Sequence, residues 1–171
     1  MIRSSLSTET FRRTTDVPSH GMDDETHVKR AIELARESVD SGNNPFGALL
    51  VVDGEVVRTE ENIVRTDADI TGHPELKLAR WAARELDDDE FDDCTMYTST
   101  EPCPMCASAI AYSGLGRVVF SSPLSAVWEA RGSGGIDIPC REVFDRTEGC
   151  STTVEGPVLE DEGNEVHREF W

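Results

Sequence analysis

His73-Pro74-Glu75, a helix-like run and a short apolar run lead to Thr100-Glu101-Pro102-Cys103-Pro104-Met105-Cys106-Ala107. This stretch supplies one imidazole and two thiols. Three ligands of this softness suit zinc, and three protein ligands leave the fourth tetrahedral position for water. Cys103 and Cys106 are spaced to lie on one face of a helix. At a helix start, both the N-terminus and a dication favour thiolate over thiol. Glu75 follows the imidazole by two residues, close enough to address a water without coordinating the metal. A structural knot would need a fourth ligand from Cys94, Cys140, Cys150, His20, His27 or His167. Such a closed site has no use for a carboxylate beside the metal, although a glutamate in a first helical turn also favours the helix dipole. The pattern points to hydrolytic chemistry on one Zn2+ per chain, carrying a bound water or hydroxide.

Outward from this stretch, helical and strand patterns alternate. Pro74 is favourable in a first turn, and Leu76, Leu78, Ala79, Ala82, Ala83 and Leu86 carry a helix to an acidic loop at 87–93. Cys94–Thr98 reads as a strand, Cys103–Tyr112 as an Ala-rich helix ended by Gly114 and Gly116, and Arg117–Phe120 as a further strand. Upstream, Val28, Ala31, Ile32, Ala35 and Val39 recur at helical spacing between Asp23 and Ser41. Phe46–Val52 is a buried-strand run, and Asp53-Gly54 is a two-residue hairpin signal leading back toward Asn62. Downstream the signals thin to a short helix at Leu124–Arg131, a Gly-rich loop and a helical turn at Ile138–Phe144. Thr152–Val154 then reads as a strand and Leu159–Trp171 as a closing helix. The alternation argues an α/β domain of three layers with a partly parallel sheet. Residues 1–21, rich in Ser and Thr and without period, read as a disordered tail, leaving 22–171 as one domain.

His-x-Glu followed by Pro-Cys-x-x-Cys is the signature of the zinc nucleobase deaminases. The sequence resembles the cytidine-deaminase-like superfamily, most closely its guanine deaminase and tRNA adenosine deaminase branch. Asn44-Pro45-Phe46-Gly47-Ala48, Asn62, Thr100–Ala107 and Arg117–Phe120 add to the resemblance, which is firm over residues 25–125. It implies an α-β-α fold around a central mixed sheet of about five strands. It implies zinc on His73, Cys103 and Cys106, with Glu75 as proton shuttle. Asn62 would hydrogen-bond the base, Phe46 would pack near its face, and main chain around Ala48 and Pro74 would line the pocket edge. These families usually have Ala where Pro74 stands, so any substrate contact through that main-chain N–H is lost. In guanine deaminases a C-terminal segment covers an active site, sometimes the neighbour's. Phe170 and Trp171 are two terminal aromatics that need something to dock on, and by the resemblance they would be the corresponding lid. The expected enzyme is a homodimer acting on a free base or nucleoside, guanine first and cytosine possible. The alternatives are tRNA adenosine-to-inosine editing and, in another class, a non-catalytic zinc-stabilised binding module.

Composition narrows the partners. A net charge of −18 arises from 34 acids against 16 basic residues, of which only Lys29 and Lys77 are lysines. Such a surface repels polyanions, which opposes nucleic acid. No apolar run approaches the ~20 residues of a membrane span. The five cysteines, with no apolar signal segment, fit a cytoplasmic protein with reduced thiols. Acid-rich, Lys-poor usage resembles proteins of salt-loving organisms. Screening shortens to ~3 Å at 1 M salt, so stability should rise steeply with added salt. A melting temperature that stays flat between low and molar salt would refute that reading.

Overall fold

The computed structural model describes residues 20–171, with the side chains of 20–23, 88 and 89 left aside. Helix α1 (His20–Asp40) leads into β1 (Gly47–Val52) and β2 (Glu55–Glu61), then α2 (Pro74–Glu85), α3 (Asp88–Asp93) and β3 (Thr95–Thr100). Next come α4 (Pro104–Ser113), β4 (Arg117–Ser122), α5 (Leu124–Arg131), α6 (Cys140–Arg146), β5 (Thr153–Glu155) and α7 (Glu160–Phe170). Of the expected tail, residues 1–19 lie outside the described residues, and positions 20 and 21 already belong to α1.

The sheet has the order β2-β1-β3-β4-β5. β1 pairs antiparallel with both β2 and β3, whereas β3–β4 and β4–β5 are parallel. Asp53 and Gly54 both take positive φ (51° and 81°), the two-residue turn that suits the twist of a hairpin. Strand alternation builds the layers. Leu49 and Val51 of β1, Tyr97 of β3 and Val119 of β4 pack under α1 and α7 with Val28, Ala31, Leu34, Ala35 and Val166. Their neighbours Ala48, Leu50, Val52, Met96, Val118 and Phe120 face α2, α4 and α6 through Leu78, Ala82, Ile110 and Phe144. Every β1 residue is therefore buried, and no polar–apolar alternation shows in its sequence.

One segment differs from expectation. The acidic loop after α2 contains the short helix α3, started by the reciprocal geometry of Asp87 and Glu90: the Asp87 N–H donates to Glu90 Oε2 at 2.7 Å. At the end of the sheet away from the metal-ligand residues, Arg117 donates bidentately to Asp24 (2.9 and 2.7 Å), and the Tyr97 hydroxyl donates to the same carboxylate at 2.7 Å. That pair fixes the start of α1 to β3 and β4. Gly47 lets β1 pass against α1: a Cβ there would meet Ala35 N and Leu34 Cβ at 2.5 Å. Gly47→Ala should therefore cost about 1–3 kcal/mol by overpacking, read as a lower urea midpoint with unchanged slope.

Candidate active site

Both halves of the site are helix starts of one design. His73 is the N-cap of α2, in extended backbone (φ −77°, ψ 137°), and Pro74 follows in the first turn. Cys103 is the N-cap of α4 (φ −64°, ψ 164°), and Pro104 follows it. Proline suits that position because the missing N–H would have no intrahelical partner there. Glu75 and Cys106 ride the first turns behind the caps. His73 Nδ1 lies 3.7 Å from Cys103 Sγ and 3.5 Å from Cys106 Sγ, and the two sulfurs are 3.6 Å apart. A tetrahedral zinc with ordinary bond lengths needs edges of about 3.8 Å between sulfurs and about 3.5 Å between nitrogen and sulfur. The three donors therefore fit one zinc ion. Among the described residues they form the one such group of His, Cys, Asp or Glu. Cys94, Cys140, Cys150, His27 and His167 do not join it, and all five cysteines are free thiols.

The donors are also chemically prepared. The hydrogen bond shared by the Cys103 and Cys106 sulfurs, and then the one to His73, holds Cys103 down at about 4 against burial. Cys106 is pushed up, first by that same bond and then by burial. A dication deprotonates a coordinating thiol outright. Glu75 is buried, with Oε2 3.5 Å from Cys106 Sγ, and burial raises its carboxyl to about 7.

Beside these residues is a cavity of about 140 Å³ at the carboxyl ends of the parallel strands β3 and β4. Of the expected residues, His73, Glu75, Cys103, Phe46 and Trp171 line it. Asn62 is buried close by: its N–H donates to Phe46 O at 3.0 Å, and its carbonyl accepts from Ser38 Oγ at 3.1 Å. Its side-chain Oδ1 accepts from the Val64 N–H, leaving Nδ2 buried without an acceptor. Ala48 and Pro74 are buried in the packing behind the site and do not line the cavity, and Phe170 stacks edge-on against Trp171 at 4.6 Å.

Sequence reasoning missed the remaining wall: Asn44, Glu101, Leu124, Val127, Trp128 and Arg131. The last four share one face of α5, a spacing visible in the chain, but nothing there says which cavity the face meets. Glu101 fixes α5 and α6 in place, accepting from the Leu124 N–H at 3.2 Å and the Cys140 N–H at 3.0 Å. The Arg131 guanidinium lies 4.7 Å from the Trp171 ring centroid and 5.7 Å from that of Trp128. A larger cleft, about 640 Å³, is lined by Asp24, Asp53, Asp92, Asp93 and Arg117 and lies at the other end of the sheet, away from the metal ligands.

Residues 22–122 match the family described as the cytidine and deoxycytidylate deaminase zinc-binding region. The chain belongs to this family. It is 41% identical over 110 residues to a guanine deaminase of Bacillus subtilis, spanning 64% of this chain and 70% of that one. It is 31% identical to a probable cytosine deaminase of Schizosaccharomyces pombe, over 86% of this chain and 92% of the other. A solved structure from work on A-to-I editing by tRNA:A34 deaminases superposes with a TM-score of 0.66 at 26% identity, covering 82% of this chain and 98% of that one. The protein is a zinc-dependent hydrolytic deaminase with the mixed-sheet fold of its family. No described helix is long and apolar enough to cross a membrane.

Metal analysis of the purified deaminase should return one zinc per chain. Cys106→Ala should lose it. Zinc should also leave as pH falls, because thiolates and imidazole bind only when deprotonated. Full zinc retention by Cys106→Ala would place the metal elsewhere.

Proposed function

We propose that the deaminase acts on a free nucleobase, with guanine the leading substrate, and that His73, Cys103 and Cys106 hold the zinc. The cavity carries this reading. At about 140 Å³ it is well below the ~300–1,000 Å³ of pockets for drug-sized ligands. It has room for one planar base. The Bacillus subtilis guanine deaminase, at 41% identity, supports guanine over cytosine. Editing of tRNA is opposed by the −18 charge and by Glu160, Asp161 and Glu162 in the first turn of α7, because phosphates need a basic path.

Bound zinc would supply activation of water near neutral pH. Glu75, buried and beside the ligands, takes a proton from the attacking water. It returns that proton to the ring nitrogen, then takes the second water proton from the hydroxyl now on the ring carbon and passes it to the departing amine, so that water and base become the oxo-base and ammonia. Asn62 Nδ2 donates to the base, satisfying a donor that is otherwise stranded at a cost of about 1–3 kcal/mol. Phe46 packs on the base, and its own place is fixed by His167, 5.5 Å away between ring centroids. Trp171 closes the mouth as a lid braced by Arg131, with Phe170 behind it. Pro74 stiffens the loop after His73 without supplying an N–H.

The enzyme works as a cytoplasmic homodimer in a salt-adapted cell. α4 is free of charged residues, and its exposed Met105 and Tyr112 form an uncharged surface on a strongly acidic protein, where two like-charged copies can meet.

Ammonia release from a panel of guanine, cytosine, adenine and tRNA tests the reading, with guanine expected to be turned over fastest. Glu75→Ala should keep its zinc and lose at least ~10²–10⁴-fold in kcat. If zinc-loaded enzyme deaminates nothing in the panel, the protein is a zinc-stabilised binding module. Removing Phe170 and Trp171 should lower turnover; an unaffected rate would reject the lid. Tyr112→Glu should halve the mass seen by light scattering, whereas an unshifted mass would exclude this face as the dimer contact.

A further inference from the structure

Among the described residues, three buried side-chain nitrogens have no hydrogen-bond partner: Asn62 Nδ2, His167 Nδ1 and Trp128 Nε1. Trp128 is the one of the three whose side chain lines the cavity, and the proton shuttle and zinc ligands do not account for it. An indole nitrogen is a donor only. Buried tryptophan N–H groups usually find a partner, so a stranded one needs an explanation.

The ring has little freedom to seek an acceptor elsewhere. Arg131 lies near its face, and Arg131 is itself engaged with Trp171. Its benzo edge lies against Gly135, so closely that a Cβ there would come within 2.7 Å of Cη2 and 2.9 Å of Cζ2. The helix that carries it is fixed at its start by the Glu101 carboxylate, one residue before the Pro102-Cys103 corner. The indole is thus held against the metal site with its donor unspent.

We propose that Trp128 is a specificity-determining residue whose indole N–H donates to a carbonyl oxygen of the bound base, a contact separate from the one Asn62 makes. Two stranded donors, one on Trp128 in the cavity wall and one on Asn62 buried close by, call for a ligand with at least two acceptors on its ring edge. A keto base such as guanine offers a carbonyl oxygen beside ring nitrogens. A purine without that oxygen leaves one donor unmet, and sites built to hydrogen-bond a substrate group discriminate strongly against analogues that lack it. This rests on the reading of the cavity as a base site.

Trp128→Phe keeps a flat apolar ring and removes the donor. Its kcat/KM for guanine should fall about ten- to a hundredfold, mainly through KM. For 2-aminopurine, which keeps the reacting amine and lacks the carbonyl oxygen, it should change less than about twofold. The melting temperature should hold or rise, because the unfilled protein no longer buries an unmet donor. Gly135→Ala, which pushes the indole without touching the base, should reproduce the guanine-selective loss. Equal losses for both bases, or no loss for guanine, would overturn the proposal. If wild-type enzyme turns over cytosine and not guanine, the guanine reading fails separately. Cytosine also bears a ring carbonyl, so the variant must then lose kcat/KM for cytosine, and an unchanged value would overturn the role of Trp128.

Discussion

Two sulfurs and an imidazole nitrogen within 3.7 Å of one another form a donor set that hydrogen bonds hold together and that one cation can bridge. Much of the architecture serves to hold that arrangement together. Two helices begin at the same point in space, each with a ligand at its cap and a proline behind it. The parallel strand β3 delivers one of them, and the long loop after β2 delivers the other. Helix N-termini favour negative charge, so the backbone leans the same way as the metal. Glu75 is buried beside them, where its carboxyl is pushed up to about 7. Moving either helix by an ångström would spoil an edge of the tetrahedron, which explains why α2 and α4 pack on one another through small residues such as Ala79, Ala82 and Ala107.

The parts of this design visible in the sequence are those set by short-range chemistry. Ligand spacing, the proline after His73 and after Cys103, and the acid two residues past the imidazole all depend on neighbours along the chain. The same holds for the Asp53-Gly54 turn, whose two positive φ angles follow from residue type. What stayed hidden depends on tertiary placement. The four cavity-facing residues of α5 form an ordinary helical face, and only the position of α5 makes that face a wall. The α3 helix is six residues long and entirely polar except for Phe91, so it carries too few turns to show a period. The Ala48 side chain lies in the core behind the site, so any contact with the pocket edge falls to its main chain.

The acidic surface and the buried site follow different rules. Outside, charge density is tolerated because solvent and salt screen it. Inside, several charges are individually answered: Asp24 by Arg117 and Tyr97, Glu101 by two helix-start amides, Glu60 by Lys77 at 2.5 Å. One of the only two lysines in the chain is thus committed to an internal contact, which leaves arginine to carry nearly all exposed positive charge.

Thirty residues separate His73 from Cys103, and they include α2, α3 and β3. An ion bound to both ends would be a cross-link as well as a reagent. By the chain-entropy relation that describes disulfides, closing a loop of that length removes unfolded-chain entropy worth about 3.6 kcal/mol. That is a sizeable share of the ~5–15 kcal/mol that holds a domain folded. Catalytic readiness and mechanical integrity would then be coupled through one atom. A molecule without its metal would be inactive and also looser, and so open to any protease that samples open chains.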